Sequence, residues 1–319
     1  MPEPAELAFG PFVLGPTIAA RRQIELCQAT LFGPDGTHHP VALRRTRVLD
    51  DGPNEALIGR ALHYALLRHP AIAEVKDLGT LHGRSYIATE LIKGHNLLRV
   101  LARCGARRIG FPTDVALYIV RTILLALEHA HSRTAKDGRP LPVIHGDLGH
   151  TNVLLTLDGE VRLTDFALGL GSTRKRTEAG TNQGLGKGFT SYLAPEQIRG
   201  EGLRPATDLF AVGILLYELV TGRVLFTGPR EEALLELVGA GRYEVPLDRH
   251  RPDLHPQLAA IIRQALGADP STRPQEARAM ITAIDQLLEN VRCQVGPNFL
   301  RNLMTRLFGG PEGGLEEAA

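Results

Sequence analysis

Residues 143–171, VIHGDLGHTNVLLTLDGEVRLTDFALGLG, constrain this chain more than any other stretch. They hold His145-Gly146-Asp147, then Asn152 five positions after that acid, then Asp165-Phe166-Ala167. Residues 153–155 (VLL) and 160–164 (EVRLT) read as two short strands joined by Leu157-Asp158-Gly159, and Asp-Gly between apolar runs is a hairpin signal. Such a hairpin presents an acid before its first strand (Asp147), an amide at that strand's start (Asn152) and an acid after its second strand (Asp165). Aspartate favours turns on its own account, so either acid alone could be a turn or cap residue. Together the three side chains could converge on one small volume.

This pattern resembles the catalytic and metal-binding loops of the protein kinase family, H-R-D-L-x-x-x-N followed by D-F-G. The spacing from Asp147 to Asn152 is kept, and the hairpin and Asp165-Phe166 follow in order. In-line phosphoryl transfer needs a carboxylate beside the attacking hydroxyl and oxygen ligands for the Mg²⁺ that bridges the phosphates. By resemblance Asp147 takes the first role, and Asn152 with Asp165 the second. ATP and Mg²⁺ are the implied cofactors, and the implied fold is the α+β, bilobal kinase fold with a small β-rich lobe and a mainly helical lobe.

Bulk properties narrow the alternatives. Lys+Arg 36 against Asp+Glu 35 leaves +1, which gives no electrostatic case for nucleic acid or an anionic membrane. Cys27, Cys104 and Cys293 are far apart, with no zinc-like Cys/His spacing, so a reduced, cytoplasmic chain is expected. The N-terminus lacks the regions of a signal peptide. The longest apolar run, LFAVGILLYELV at 209–220, is too short to span a bilayer and reads as a buried helix.

In chain order, residues 10–49 are β-like, broken by turn signals at Gly15-Pro16 and Gly33-Pro34-Asp35-Gly36. A helix over 53–68 begins near Pro53 and carries Leu57, Ala61, Tyr64 and Ala65 on one face. Strands at 72–79 and 85–91 complete a small lobe of five strands and one helix over 10–92. Helices then read at 96–103, 113–132, 207–221, 230–240, 256–266 and 274–289, which sets a large lobe over 93–294. Residues 169–189 read as an activation-type segment, closed by Ala194-Pro195-Glu196. By resemblance Asp208 braces the catalytic loop through backbone amides and Arg273 pairs with Glu196. Residues 295–319 lie beyond the resemblance. Within them 299–308 forms a helix with an apolar face of Phe299, Leu303 and Leu307, expected to pack on its own domain, and GGPEGGLEEAA reads as disordered.

The small lobe departs from the family pattern. The V-A-x-K motif becomes Val41-Ala42-Leu43-Arg44, so Arg44 stands at the phosphate-binding Lys position, and that exchange is not conservative at a tight site. Counting back from His69-Pro70 puts the Glu that would hold the Lys at Arg60. Glu55, five residues away, lies about 140° round the axis. Ala19, Arg21 and Ile24 stand where the phosphate loop has glycines, so backbone N–H groups lose their close approach, although Arg21 and Arg22 bring charge. In the large lobe Gly146 replaces the Arg of H-R-D, Gly149 a common Lys, and Ala167 the Gly of D-F-G. Phe189 stands where the family often has a substrate-positioning Thr; a slip of one puts Thr190 there instead.

Two functional readings follow. One is a pseudokinase, a regulatory or interaction module with an unidentified protein partner. The other is an active, atypical Ser/Thr kinase acting on a protein substrate, with Arg44 or Arg21/Arg22 contacting phosphate. Ala42, Thr89, Glu90, Leu91 and Leu154 match positions that hold the adenine ring, with Thr89 as gatekeeper. Weak nucleotide binding dominated by the base is the expectation.

Overall fold

Six strands pair antiparallel in the order β1-β2-β3-β4-β6-β5: β1 (Ala8–Phe9), β2 (Phe12–Ala20), β3 (Ile24–Phe32), β4 (His38–Thr46), β5 (Val75–Leu81) and β6 (Arg84–Glu90). Period-two alternation assigns their faces. In β4, Val41 and Leu43 are fully buried in a small core with Phe12, Cys27 and Tyr86. Ala42 and Arg44 therefore take the opposite face, and both are only partly buried. The helix α1 (Glu55–Tyr64) contributes Leu57, Ala61 and Tyr64 to the main core, which also takes Val75 and Ile87 from the sheet. This is the computed structural model of the chain, and it describes residues 8–20, 24–46, 55–135, 137–166, 192–227 and 230–309. Arg21, Arg22, Pro53, Ala167, the 169–189 segment with Phe189, Thr190 and the tail after residue 309 lie outside the described residues.

A second sheet, β7 (Gly94–Asn96), β8 (Val153–Thr156) and β9 (Val161–Leu163), begins the large lobe. Its β8–β9 hairpin turns at Gly159, whose φ of 86° is left-handed, which is why Asp-Gly marks it. Leu163 clamps the lobes together: its N–H donates to Ala71 O at 2.8 Å and its carbonyl accepts from the Ala73 N–H at 2.9 Å. The helices are α2 (Leu97–Ala106), α3 (Thr113–His131), α4 (Pro195–Ile198), α5 (Pro205–Thr221), α6 (Glu231–Gly239), α7 (Leu247–His250), α8 (Pro256–Ala265), α9 (Ala277–Asn290) and α10 (Pro297–Phe308). The 209–220 run is the centre of α5, buried on every side among α3, α8 and the segments around them. Among the described residues no helix is long and apolar enough to cross a membrane.

Three expectations need correction. Among the described residues the small lobe has six strands, because Phe9 and Phe12 fold β1 onto β2 through Gly10 at φ 56°. Gly15-Pro16 makes no turn; β2 runs through it with register shifts on either side of Thr17, since Pro16 has no N–H for a regular ladder. The buried face of α10 is Leu300, Leu303, Met304 and Leu307, while Phe299 is 40% exposed. That helix does pack on its own domain. Arg103 Nε reaches Leu307 O at 3.3 Å and Arg107 Nη1 reaches Arg306 O at 2.6 Å.

Candidate active site

The loop before β8 is fixed from below by one buried carboxylate. Asp208, in the first turn of α5, accepts the N–H of His145 at 2.8 Å and of Gly146 at 2.8 Å, and meets His131 Nε2 at 2.8 Å. This is the bracing through backbone amides that the sequence suggested. His131 was not anticipated; its signal is a histidine at the last position of an apolar helix. Gly146 has φ 68°, so the residue that replaces the family's Arg also suits a left-handed backbone. Its carbonyl accepts from Gln197 Nε2 at 2.9 Å, tying the loop to α4.

The loop's own polar groups close on each other. Asn152 Nδ2 donates to Asp147 O at 2.6 Å, and the Asn152 N–H donates to Gly149 O at 3.1 Å. The Thr164 N–H donates to Asn152 O at 3.0 Å, which sets Asn152 beside the residue preceding Asp165. Asp165 itself has φ 64°. His145 Nε2 contacts Thr164 O at 2.9 Å, and its ring lies 4.6 Å from Phe166. Phe166 in turn lies 5.7 Å from Tyr64, whose hydroxyl donates to Ala73 O at 2.8 Å. A column thus runs from α1 through Phe166 and His145 to Asp208. Burial holds the His145 pKa below the ordinary imidazole value, against the raising pull of Asp208 and Asp165.

The small-lobe residues arrive differently. Arg44 Nη2 donates directly to Asp165 Oδ2, an ion pair that bridges the lobes, with side-chain exposures of 23% and 17%. The Arg44 Nε is buried without a partner among the described residues. Arg60 stands one turn before Tyr64 on α1, and its Nε likewise has no partner among the described residues. Burial lowers its pKa from the usual guanidinium value. Glu55 stands exposed at the start of α1, and no ion pair joins it to Arg60 among the described residues.

Of the residues matched to an adenine site, Ala42 and Thr89 are opposite each other in the β4–β6 register. Leu154 is half-buried between the buried Val153 and Leu155, so it faces away from the core beneath. The Glu90 carboxylate is turned aside, accepting from the Glu74 N–H at 3.0 Å and from Arg162 Nη1 at 3.1 Å. The Leu91 N–H points to Pro40 O at 3.4 Å. Ala19 lies in β2 opposite Leu26, and Ile24 opens β3. Below the site, Glu196 and Arg273 are fully buried and joined at 2.8 and 2.9 Å.

The chain matches the protein kinase domain family over residues 38–287. It belongs to the protein kinase family. A tyrosine-protein kinase, MasK of Myxococcus xanthus, is 32% identical over 283 residues, which is 88% of this chain and 43% of that protein. The serine/threonine-protein kinase PknA of Mycobacterium tuberculosis is 32% identical over 222 residues, 66% of this chain and 45% of that protein. The chain thus spans less than half the length of these relatives. The crystal structure of the Mycobacterium tuberculosis PknI kinase domain superposes with a TM-score of 0.64 at 22% identity, over 88% of this chain and 97% of that one, and shows the shared fold.

Kinases of this family use ATP with Mg²⁺. Asn152 and Asp165 lie close enough in the chain's backbone pairing to supply oxygen ligands. However, the Oδ2 of Asp165 accepts from the Arg44 guanidinium, which brings a protein cation onto that carboxylate. A dication at this carboxylate would have to share it with a resident cation, and like charges at such separations repel in a half-buried site.

Proposed function

We propose that this chain is a kinase-fold regulatory or interaction module, a pseudokinase that binds nucleotide weakly and whose phosphoryl transfer is impaired. One observation carries the reading: the Arg44 side chain lies on the Asp165 carboxylate, the group that should carry the metal. A lysine at position 44 would need an acid on α1 to orient it; here α1 offers Arg60, so no ion pair draws Arg44 away. The retained Asp208 brace, the Tyr64–Phe166–His145 column and the Glu196–Arg273 pair serve the fold, and fold alone does not establish catalysis. An unidentified cytoplasmic signalling protein, reached by direct contact, is the partner that suits such a module.

The second reading is an active, atypical Ser/Thr kinase with Asp147 as base and Asn152 and Asp165 holding magnesium. The Asn152–Asp147 closure at 2.6 Å favours it, because the catalytic loop keeps its internal bonds. It requires the metal to take Asp165 either beside Arg44, on the other carboxylate oxygen, or in its place. A transfer assay with radiolabelled ATP and a generic protein acceptor, beside Asp147→Asn, decides between them. The pseudokinase reading expects equal, background incorporation in both proteins. Incorporation that Asp147→Asn abolishes overturns it.

A further inference from the structure

We propose that the cleft takes a nucleoside di- or triphosphate free of divalent metal, with the Arg44 guanidinium standing as the resident cation where the family places one. The proposal rests on the reading of a nucleotide-binding, transfer-impaired domain and names the ionic form of its ligand.

Two observations support it independently of the motif comparison. First, Arg44 uses Nη2 on Asp165 and keeps a buried Nε–H without a partner among the described residues. A buried N–H left unpaired is costly, and a phosphate oxygen is the acceptor that a guanidinium fork fits best. Second, the nearby acids of the small lobe are already occupied. Glu25 is held by Arg45 at 2.9 Å, Glu74 by Lys76 at 2.6 Å and Glu90 by Arg162 at 3.1 Å. Asp165 is therefore the carboxylate that Arg44 meets among the described residues. Adding a dication beside Arg44 places like charges together in a half-buried site, whereas a polyphosphate neutralises the guanidinium. The motif reading points to binding dominated by the base; the Arg44 N–H adds a phosphate contribution to it.

The test uses the full chain, isothermal titration with ADP, ATP and adenosine in EDTA and in Mg²⁺, and the electron-spin signal of Mn²⁺ in the presence of ADP. The expected result is ADP binding in EDTA that Mg²⁺ does not improve, at least about tenfold tighter than adenosine, with Mn²⁺ remaining free. In Arg44→Gln the gap between ADP and adenosine should close and Mn²⁺ should bind through the released carboxylate. Asp165→Asn frees the whole Arg44 fork, so ADP should bind tighter in EDTA. A metal-dependent site predicts weaker binding for that variant. Tenfold improvement by Mg²⁺, bound Mn²⁺ in the parent protein, equal affinity for ADP and adenosine, or no ADP binding would each overturn the proposal. The two readings fail separately. Metal-requiring ADP binding without transfer removes only this inference, whereas transfer abolished by Asp147→Asn removes the pseudokinase reading whatever the metal result.

Discussion

Replacing Glu218 with glutamine should make the protein more stable as pH rises, although it removes a residue with several hydrogen bonds. Glu218 lies on α5 and is 4% exposed. One of its oxygens accepts from the Tyr192 hydroxyl and lies 3.2 Å from His150 Nε2, and the other accepts the Leu225 N–H at 3.1 Å. Burial outweighs those bonds and pushes the carboxyl from 4.5 up to about 7. A carboxyl raised in the folded state keeps its proton where the unfolded chain has lost it. Its contribution is therefore complete below about pH 4.5 and is lost as pH rises through about 7. The span is about 2.5 pH units, and at about 1.4 kcal/mol each the loss is about 3 kcal/mol. Glutamine has no charge to desolvate, and its amide oxygen can still accept from Leu225. Urea unfolding at intervals between about pH 5 and pH 8 should show the variant gaining about 1.4 kcal/mol per pH unit on the parent up to about pH 7. The difference matters because His150 has the opposite sign. Burial lowers it from 6.5 to about 4, so its contribution is lost as pH falls, and the parent's own curve hides both groups. A flat difference, or a variant less stable than the parent near pH 8, would refute the reasoning.

Arg273→Met should cost about 3–5 kcal/mol in urea unfolding, because it strands the fully buried Glu196 carboxylate; a loss near zero would contradict the pairing. Gly159→Ala should loosen α10, since the added Cβ would stand 2.1 Å from Pro297 O on a backbone at φ 86°. Faster amide exchange confined to the β8–β9 turn and residues 297–308 is the expected signature, and unchanged exchange there counts against it. His95→Phe should raise stability by about 1 kcal/mol, because both ring nitrogens are buried without partners among the described residues and the ring stacks 4.0 Å from Phe308. Burial also lowers the His95 pKa, so the gain should widen as pH falls below 6.5; a gain independent of pH would be inconsistent with that burial.

Strong local signals survived the passage from sequence to structure. The Asp-Gly hairpin, the apolar run of α5 and the Ala-Pro-Glu helix start each depend on short-range chemistry, and each appears where that chemistry places it. Asp208 and Arg273 were legible because a motif fixed their partners. Less visible were groups joined only through the tertiary fold. Nothing near Tyr192 or Glu218 in the sequence announces that they meet His150 between the catalytic loop and α5. Tyr64 read as one more apolar position of α1, yet it is the residue that carries α1 onto Phe166. Gly15-Pro16 misled because turn propensity is local, whereas the pairing of β2 with β3 on both sides of it is not.

The departures from the family pattern and the retained positions divide by the job that each performs. Asp208, His145, Phe166, Tyr64, Glu196 and Arg273 are buried and bonded to backbone or to each other, so removing any of them would unpack the domain. Arg44, which lies on Asp165, and Arg60 on α1 are positions at which the pattern changes. The changes are also mutually consistent. An arginine at 44 can reach across the lobes to Asp165, an acid at 60 would compete for it, and Arg60 does not. The Arg44–Asp165 ion pair also joins β4 to the segment after β9, so a side chain of the small lobe reaches the large lobe at the position where the family's metal-binding acid stands.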